Sequence, residues 1–259
     1  MPGTPQQKTI GAVETTFEVL TVLGEIEPAG VSEIAEQLDM STSTVFTHLN
    51  TLLQQGYLIK EGTLYQRSLQ FLTDAGVIRD RFEAARLLEN KVDELASSTG
   101  EIVGAAVEER GQRVILYRTA GEMAAGDEIP VGNRTNMHWT SLGKALLAHL
   151  PAVRRHGIIE HHGLPRGTEH TFTTEDGLEE ELKQIRQQGY ATDDEEHLRG
   201  VRGVAVPIFN DKQEVIASIG ITGPRNRFRS KYLTYLLGSL EYSKNEIEVR
   251  NQYWTTSTV

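Results

Sequence analysis

The spacing of apolar residues changes near residue 100 of this 259-residue chain, and this change constrains the fold more than any other feature. Up to that point apolar residues recur three or four positions apart, which is the spacing of one helix face. Beyond it they form short continuous runs at 102–107, 114–117, 204–208 and 215–221, which are typical of buried strands. A chain of this length exceeds one typical domain and accommodates two. The sequence therefore predicts an α+β protein with a helical first unit and a larger second unit built on a sheet.

The first unit is predicted to hold three helices followed by a β-hairpin. The first helix covers residues 13–25. Gly30, with a glutamate three residues later, forms half of a capping box for the second helix. Ser41 caps the third helix, which ends before Gly56. Residues 57–67 alternate as two strands around a Glu-Gly turn, which indicates a hairpin. This order of elements predicts a winged helix-turn-helix.

We predict three segments in the chain. A winged helix-turn-helix domain covers residues 1–72, a linker helix covers 73–98, and a larger α+β domain covers 99–259. This larger domain is expected to contain one mixed sheet flanked by helices. These helices are predicted over residues 141–150, 175–188 and 231–250.

The charge of the chain argues against simple electrostatic attachment to nucleic acid. The formal net charge is −10, and the first eighty residues hold four basic and ten acidic side chains, for a net charge of −6. Lysine is scarce, with 8 lysines against 18 arginines. An acid-rich, lysine-poor surface suits a protein in concentrated salt, where attraction to phosphate is screened in any case. We therefore expect a halophilic protein.

Composition excludes several kinds of chemistry. The chain has no cysteine, so disulfides, thiolate metal sites and cysteine nucleophiles are excluded. It has no apolar stretch of about 18 residues and no signal-peptide pattern, which predicts a cytoplasmic protein with no membrane partner. Four histidines lie close together in sequence without a zinc-binding spacing: His156, His161, His162 and His170. Since catalytic signature motifs are also missing, we predict no metal, no cofactor and no enzyme activity.

Motifs in both halves of the chain agree in order and spacing with one known family. In the first half these motifs are the segments 31–35, 43–45 and 52–58. In the second half they are WTSLGKALLA at 139–148, GYATDDEE at 189–196, GVRGVAVPIF at 200–209 and IGITGP at 219–224. Together they resemble the IclR family of bacterial and archaeal transcriptional regulators. The resemblance implies a GAF-like effector domain, and homodimers, often paired into tetramers, that bind palindromic operator DNA.

The third helix is expected to read double-stranded operator DNA, because the second helix of a helix-turn-helix enters the major groove. Its candidate contact residues are Thr42, Ser43, Thr44, Thr47 and His48. The family commonly places Lys at the position of Thr42 and Arg at that of Thr47, so hydroxyls and helix-terminal amides would hold phosphates here. From the hairpin, Lys60, Tyr65 and Arg67 could reach the DNA, and Arg67 is the strongest single candidate. The alternative for the Ser/Thr-rich helix start is ordinary capping.

The second domain is expected to bind a small organic acid. Ser141, Leu142 and Gly143 stand where a loop enters a helix, so their amides are predicted to hold a carboxylate. The resemblance adds Met137, Asp193, Gly203, Ala205, Gly220 and Thr222 to this pocket. The family often has Cys at the position of Gly203 and Ser at those of Gly220 and Thr222. The two glycines therefore predict a wider pocket, for a sugar acid, keto acid or aromatic acid larger than pyruvate or glyoxylate.

Two points remain open in the sequence. The acidic residues 193–196 are expected to form a solvated turn in which Asp193 alone has a ligand role. The acidic first unit, which lacks the usual basic residues, also fits a ligand-binding or dimerisation scaffold with a degenerate helix-turn-helix. We expect a homodimer in either case, because the first helix and the connector at 81–95 have more apolar surface than a small winged domain can cover.

Overall fold

The structure is a computed structural model that describes residues 8–82, 84–125 and 129–256. The chain divides into two compact units, Met1–Arg79 and Asp80–Val259. The ends of the two outer predicted domains, residues 1–7 and 257–259, lie outside the described ranges. None of the helices described is both long and apolar enough to cross a bilayer.

The first unit contains four helices and a small sheet. In chain order its elements are α1 (Gly11–Ile26), β1 (Ala29–Gly30), α2 (Val31–Gln37), α3 (Thr42–Gln54), β2 (Leu58–Glu61), β3 (Leu64–Arg67) and α4 (Gln70–Arg79). The sheet order is β1-β3-β2, and both pairings are antiparallel. The three predicted helices and the hairpin are therefore confirmed. The short strand β1 was not predicted, because two residues are too few to show a period of two.

Local capping and apolar burial account for these elements. The Gly30 amide donates to Glu33 Oε2 at 2.7 Å, and the Thr44 amide donates to Ser41 Oγ at 3.1 Å. Both bonds satisfy amides that a helix start leaves without an intrahelical partner. Apolar residues from α1, α2, α3 and the hairpin then form one buried cluster. Each fully buried leucine, isoleucine or valine in it contributes about 1.5–3 kcal/mol.

The second unit is a six-stranded sheet with helices on both faces. Its elements are α5 (Ala85–Thr99), β4 (Ile102–Glu109), β5 (Gln112–Ala120), β6 (Arg134–Asn136), α6 (Ser141–His149), α7 (Ala152–His162), α8 (Glu175–Gln188), β7 (Ala191–Asp194), β8 (Val201–Phe209), β9 (Val215–Pro224) and α9 (Ser230–Thr256). The sheet order is β6-β5-β4-β9-β8-β7. Residues of α5 and α9 share a buried cluster with one face of the sheet, and residues of α6 and α8 share another with the opposite face.

The α+β class is confirmed, but the sheet is antiparallel and not mixed as predicted. All five of its described pairings run antiparallel. Hairpins join β4 to β5 and β8 to β9, which forces antiparallel pairing. The helical segment from α6 to α8 connects β6 at one edge of the sheet with β7 at the other, so it does not return to a neighbouring parallel strand.

The segment 73–98, which we predicted as one linker helix, is divided between the two units. Its first part lies in α4, which belongs to the first unit, and its last part lies in α5, which belongs to the second. Leu88 and Val92 of α5 are fully buried against the sheet. An amphipathic pattern does not say what its apolar face covers, and in α5 that face covers the sheet.

Candidate functional site

The start of α3 presents a cluster of exposed hydroxyl groups. Thr42, Ser43, Thr44 and Thr47 are all exposed. The Ser41 hydroxyl lies 2.9 Å from that of Ser43 and 2.8 Å from that of Thr44, and the Thr47 hydroxyl donates to the Ser43 carbonyl oxygen at 2.9 Å. The structure thus brings four of the five predicted helix residues together on one accessible, uncharged surface. Hydroxyls of this kind can donate to phosphates, and they can both donate to and accept from base edges.

His48 has a different environment from the other predicted residues of α3. It is only partly exposed, and its Nδ1 lies 2.8 Å from the Thr16 hydroxyl of α1. This hydrogen bond connects α3 to α1. The structure therefore gives His48 a role in positioning α3.

The prediction that Tyr65 reaches DNA from the hairpin is wrong. Its side chain is 0% exposed and belongs to the core of the first unit. Successive residues of a strand face opposite sides, so Tyr65 points inward while Leu64, next to it, is exposed. Lys60 is exposed, with its Nζ 4.9 Å from the centre of the Tyr65 ring. Of the predicted hairpin residues, Lys60 keeps an accessible charge without a carboxylate partner among the described residues.

Arg67 is exposed, but it already has an acidic partner. Its Nε donates to Glu27 Oε1 at 2.8 Å, its Nη2 lies 2.7 Å from the same oxygen, and its amide donates to Glu27 Oε2 at 2.7 Å. These bonds hold the pKa of the Glu27 carboxyl below its usual value. The pair joins the end of the hairpin to the end of α1. A phosphate would have to compete with the carboxylate of Glu27 for this arginine.

A cleft lies in the second unit, with about 790 Å³ of empty space that includes its open mouth. Its lining comes from β4, β5, β9, the loop after β5, the start of α6 and the segment from the end of β7 to the start of β8. Four of the predicted effector residues line it: Ser141, Leu142, Asp193 and Thr222. The structure therefore assembles part of the predicted site from three separate stretches of sequence.

Of the three amides at the start of α6, one is used for the cap of the helix itself. The Gly143 amide donates to the Thr140 hydroxyl at 3.1 Å, so it is already occupied. No acceptor for the amides of Ser141 or Leu142 is found in the described part of the chain. Because a helix start carries a partial positive charge, these two amides suit an anion. The prediction for Gly143 as a carboxylate donor is wrong.

Gly203 and Gly220 do not widen the cleft, contrary to our prediction. A Cβ on Gly220 would lie 2.7 Å from the Val204 carbonyl oxygen and 2.8 Å from Ala205 Cβ. A Cβ on Gly203 would lie 2.8 Å from Ser141 Oγ. The space beside both glycines is already filled, because they let α6 approach the sheet closely. Neither residue lines the cleft.

Met137 and Ala205 also lie outside the cleft that the structure describes. Both are buried in the cluster that joins α6 and α8 to the sheet. A Cβ on Gly143 would clash with the Met137 carbonyl oxygen, so the backbone before α6 packs directly on this glycine. These residues position the start of α6 and do not form the wall of the cleft.

The acidic segment 193–196 is mostly buried, which overturns the expected solvated turn. Glu195 and Glu196 are buried together with Asp193, and Asp194 alone is exposed. Asp193 Oδ1 accepts from the Glu196 amide at 2.8 Å. Burial, together with the nearby charge of Glu196, raises the pKa of Asp193 to about 7. Asp193 can therefore act as a hydrogen-bond donor or as an acceptor near neutral pH.

Lys144 is a buried cation that forms an ion pair with this acidic segment. Its side chain is 0% exposed, and its Nζ lies 2.6 Å from Glu196 Oε2 and 2.9 Å from Glu181 Oε1. Burial raises the pKa of Glu196, while Lys144 opposes that shift. The lysine of the GKALLA motif thus holds Glu196, whose amide bonds to Asp193.

Sequence reasoning missed three cationic or titratable residues that line the cleft: Arg113, Arg118 and His197. Arg113 is only 2% exposed, and burial lowers the pKa of its guanidinium to about 10. The sequence carries no signal for the burial of Arg113, because an arginine in a strand is ordinarily exposed to solvent and only the strand register shows otherwise. His197 stacks on the Trp139 ring, with 5.3 Å between the ring centres.

The four neighbouring histidines are not assembled into a metal site. His156 lies 3.1 Å from Glu175, and the His162 ring bonds to the Arg110 carbonyl oxygen. Within the described ranges, no group of three or more His, Asp or Glu residues has metal-binding geometry.

Comparisons with known proteins agree with this architecture over nearly the whole chain. The sequence model of the IclR helix-turn-helix domain matches residues 12–62, and that of the bacterial transcriptional regulator IclR C-terminal domain matches residues 79–249. The probable HTH-type transcriptional regulator ArcR of Halobacterium salinarum is 28% identical over 252 residues, which are 95% of each chain. The transcriptional regulator KdgR of Escherichia coli is 28% identical over 250 residues, 96% of this chain and 95% of its own.

Solved structures show the same fold. The IclR protein of Thermotoga maritima superposes with a TM-score of 0.83 at 24% identity, over 95% of this chain and 100% of its own. An IclR homologue of Microbacterium hydrocarbonoxydans, crystallised with 4-hydroxybenzoate, gives a TM-score of 0.80 at 20% identity, over 93% of this chain and 99% of its own. The predicted combination of a winged helix-turn-helix with an α+β effector domain is thus confirmed. The chain belongs to the IclR family of DNA-binding transcriptional regulators, which carry a ligand-binding C-terminal domain.

Proposed function

We propose that this protein regulates transcription by binding operator DNA through the start of α3, and that a small organic acid in the cleft modulates this binding. The observation that carries the proposal is the cleft. It combines apolar walls, two helix-start amides and a buried carboxyl group, in a chain that also has a winged helix-turn-helix. Concave, mostly apolar sites with a few convergent polar groups are typical of small-molecule binding.

The polar groups of the cleft favour an acid with hydroxyl or keto groups over a simple fatty acid. A carboxylate gains from the amides of Ser141 and Leu142, whereas Asp193 disfavours a second negative charge beside it. Asp193 and the Thr222 hydroxyl can instead exchange hydrogen bonds with ligand hydroxyls. The homologue crystallised with 4-hydroxybenzoate, an acid with a hydroxyl group, supports this class of effector.

The exposed hydroxyls of α3 are proposed to take the place of the basic residues that are common in the family. Hydrogen bonds from Thr42 and Thr47 need no counterion release, so they lose little strength in concentrated salt. Lys60 adds one accessible cation from the hairpin. We propose Ser43 and Thr44 as additional contacts, because they belong to the same exposed surface.

A second copy of the chain is proposed as a partner of the first unit. None of the described residues of α4 is buried, although the helix carries Leu72, Val77 and Ile78. These three side chains and Phe17 of α1 are exposed apolar residues. Covering such a surface favours self-association. A single-chain mass by light scattering, at the salt concentration used for DNA binding, would contradict the homodimer.

A polarisation titration tests the proposed function. The labelled probe is the DNA upstream of the protein's own gene, with a shuffled duplex of equal length as control, at low and at molar salt. We expect specific binding that shifts when an organic acid is added. Equal affinity for both duplexes, with acid binding retained in calorimetry, would favour the alternative of a ligand-binding scaffold with a degenerate helix-turn-helix.

A further inference from the structure

Arg113 is a buried cation that forms no ion pair with a described carboxylate. Its Nε and Nη2 donate to the Thr135 hydroxyl at 3.0 and 2.7 Å, and Nη2 lies 3.5 Å from Asn133 Oδ1. Both partners are neutral. In the described part of the chain no Asp or Glu forms an ion pair with it. Burying a charge without a counter-charge is costly, and charges found in such positions usually have an anionic partner.

The carboxylate nearest in register is already engaged elsewhere. Glu108 stands opposite Arg113 in the β4–β5 pairing. Its Oε1 accepts from Arg154 Nη2 and from the Gly111 amide, both at 2.6 Å. Arg113 thus lines the cleft without an acidic partner among the described residues.

Arg113 and the start of α6 lie over different strands of the sheet. The Leu142 carbonyl oxygen accepts from Ser218 Oγ of β9 at 3.0 Å, so the start of α6 lies over β9. Arg113 belongs to β5, two strands away, and its guanidinium is bonded to Thr135 of β6, on the side away from β9. At about 4.8 Å per strand the two places are about 10 Å apart, which is more than one carboxylate bridges.

We propose that Arg113 forms a second anion-binding subsite, and that the effector of this protein is a dicarboxylic acid. This proposal rests on the proposed function, and it narrows the effector class from organic acids to diacids. One carboxylate binds the amides of Ser141 and Leu142, and the other pairs with the Arg113 guanidinium. The Thr135 hydroxyl fixes the guanidinium by accepting from Nε and Nη2, which leaves the Nη1 donors for the ligand.

The decisive probe is a diacid whose second charge can be removed without changing its length. Adipate and its monomethyl ester form such a pair, and succinate and glutarate with their half-esters test other lengths. Calorimetry with the full-length protein should show at least one diacid that binds about tenfold or more tightly than its half-ester, the effect expected for one charge-assisted hydrogen-bonded pair. Arg113→Gln should abolish this preference, and Arg113→Lys should retain part of it.

Arg134→Gln is the matched control. Arg134 is an exposed arginine of the adjacent strand β6, it pairs with Glu109, and it does not line the cleft. This variant should keep the preference for diacids. A uniform loss of affinity for diacids and half-esters in Arg113→Gln would assign Arg113 a structural role and overturn the proposal.

Wild-type binding decides the proposal even if the variants do not fold. If every half-ester binds as tightly as its diacid, the second subsite is refuted while acid sensing stands. If no acid of either kind binds and none shifts the DNA titration, acid sensing itself fails, and the diacid proposal fails with it.

A second experiment needs no ligand. Arg113→Met should raise the melting temperature of the free protein, because the substitution removes a buried charge that no described carboxylate neutralises. If Arg113 instead has a purely structural role, the substitution should lower the melting temperature.

Discussion

The start of α3 and the cleft of the second unit offer two different kinds of chemistry. The α3 surface is exposed and uncharged, and its hydroxyls come from one continuous stretch of sequence. The cleft is buried and charged, and Arg113, Ser141 and Asp193 reach it from three different elements. Local sequence alone accounts for the first region, whereas the second exists only after the strands have paired. Functional groups on one helix are accordingly predictable, and those gathered by a sheet are largely not.

The largest effect is expected where buried charge is concentrated. Lys144→Met leaves Glu181 and Glu196 without their shared cation, and breaking a buried pair in this way costs about 3–5 kcal/mol. Urea unfolding of the full chain should show this loss. Lys183→Met is the control, because Lys183 pairs with Glu180 on the exposed surface of α8 and should change stability little. Equal stability of both variants would mean that the ion pairs of Lys144 do not stabilise the second unit.

Gly220→Ser should damage the fold, not the size preference of the cleft. The new Cβ would meet the Val204 carbonyl oxygen and Ala205 Cβ at 2.7 and 2.8 Å, an overpacking that costs about 1–3 kcal/mol. Gly104→Ala is the matched control, because Gly104 does line the cleft. Its new Cβ would lie at an ordinary 3.6 Å from Leu142 and from the Tyr117 carbonyl oxygen, so this substitution causes no overpacking. Thermal melts and calorimetry distinguish the two variants. A stable Gly220→Ser protein with an altered acid preference would show that Gly220 lines the cleft.

The double variant Thr42→Ala, Thr47→Ala should weaken operator binding while the protein remains folded. Each lost hydrogen bond is worth about 0.5–1.5 kcal/mol, so the combined effect is on the order of tenfold to a hundredfold in affinity. Thr51→Ala is the control, because Thr51 is exposed further along α3 and its hydroxyl donates to the Thr47 carbonyl oxygen. Polarisation titrations with operator DNA measure both. Unchanged affinity in the double variant would remove α3 from the DNA interface.

A smaller effect is expected from the protonation of Asp193. Its pKa is about 7 in the folded protein, above the ordinary 3.8, because the carboxyl is buried near Glu196. The folded state therefore binds more protons than the unfolded state between these values, and the contribution of Asp193 to stability falls as the pH rises through this window. Affinity for an anionic effector should likewise fall as the pH rises through about 7, because the ionised carboxylate repels it. Asp193→Asn should flatten the pH dependence of both stability and effector affinity. Urea unfolding and calorimetry at several pH values measure the two. An unchanged pH dependence would show that Asp193 does not titrate in this range.

The comparison between α3 and the cleft also marks the limit of prediction from sequence. Periodicity and caps determined α1, α2, α3 and the hairpin, because these signals act within a few residues. They did not determine that Tyr65 faces inward or that Arg67 pairs with Glu27, forty residues away. The inward orientation depends on which side of the hairpin the helices cover, and the ion pair depends on where the hairpin ends relative to α1.

In the second unit the sequence alone determined the α+β class, the strands that form the centre of the sheet and the helix that begins at Ser141. Only the tertiary structure decided what lies beside them. Strand register places Arg113 in the cleft, and the close approach of α6 to the sheet excludes Gly203, Gly220 and Ala205 from it. Burial then sets the charge chemistry, since it raises the pKa of Asp193 and lowers that of the Arg113 guanidinium. These properties depend on the exclusion of water, which is a property of the whole packed domain and of no local stretch of sequence.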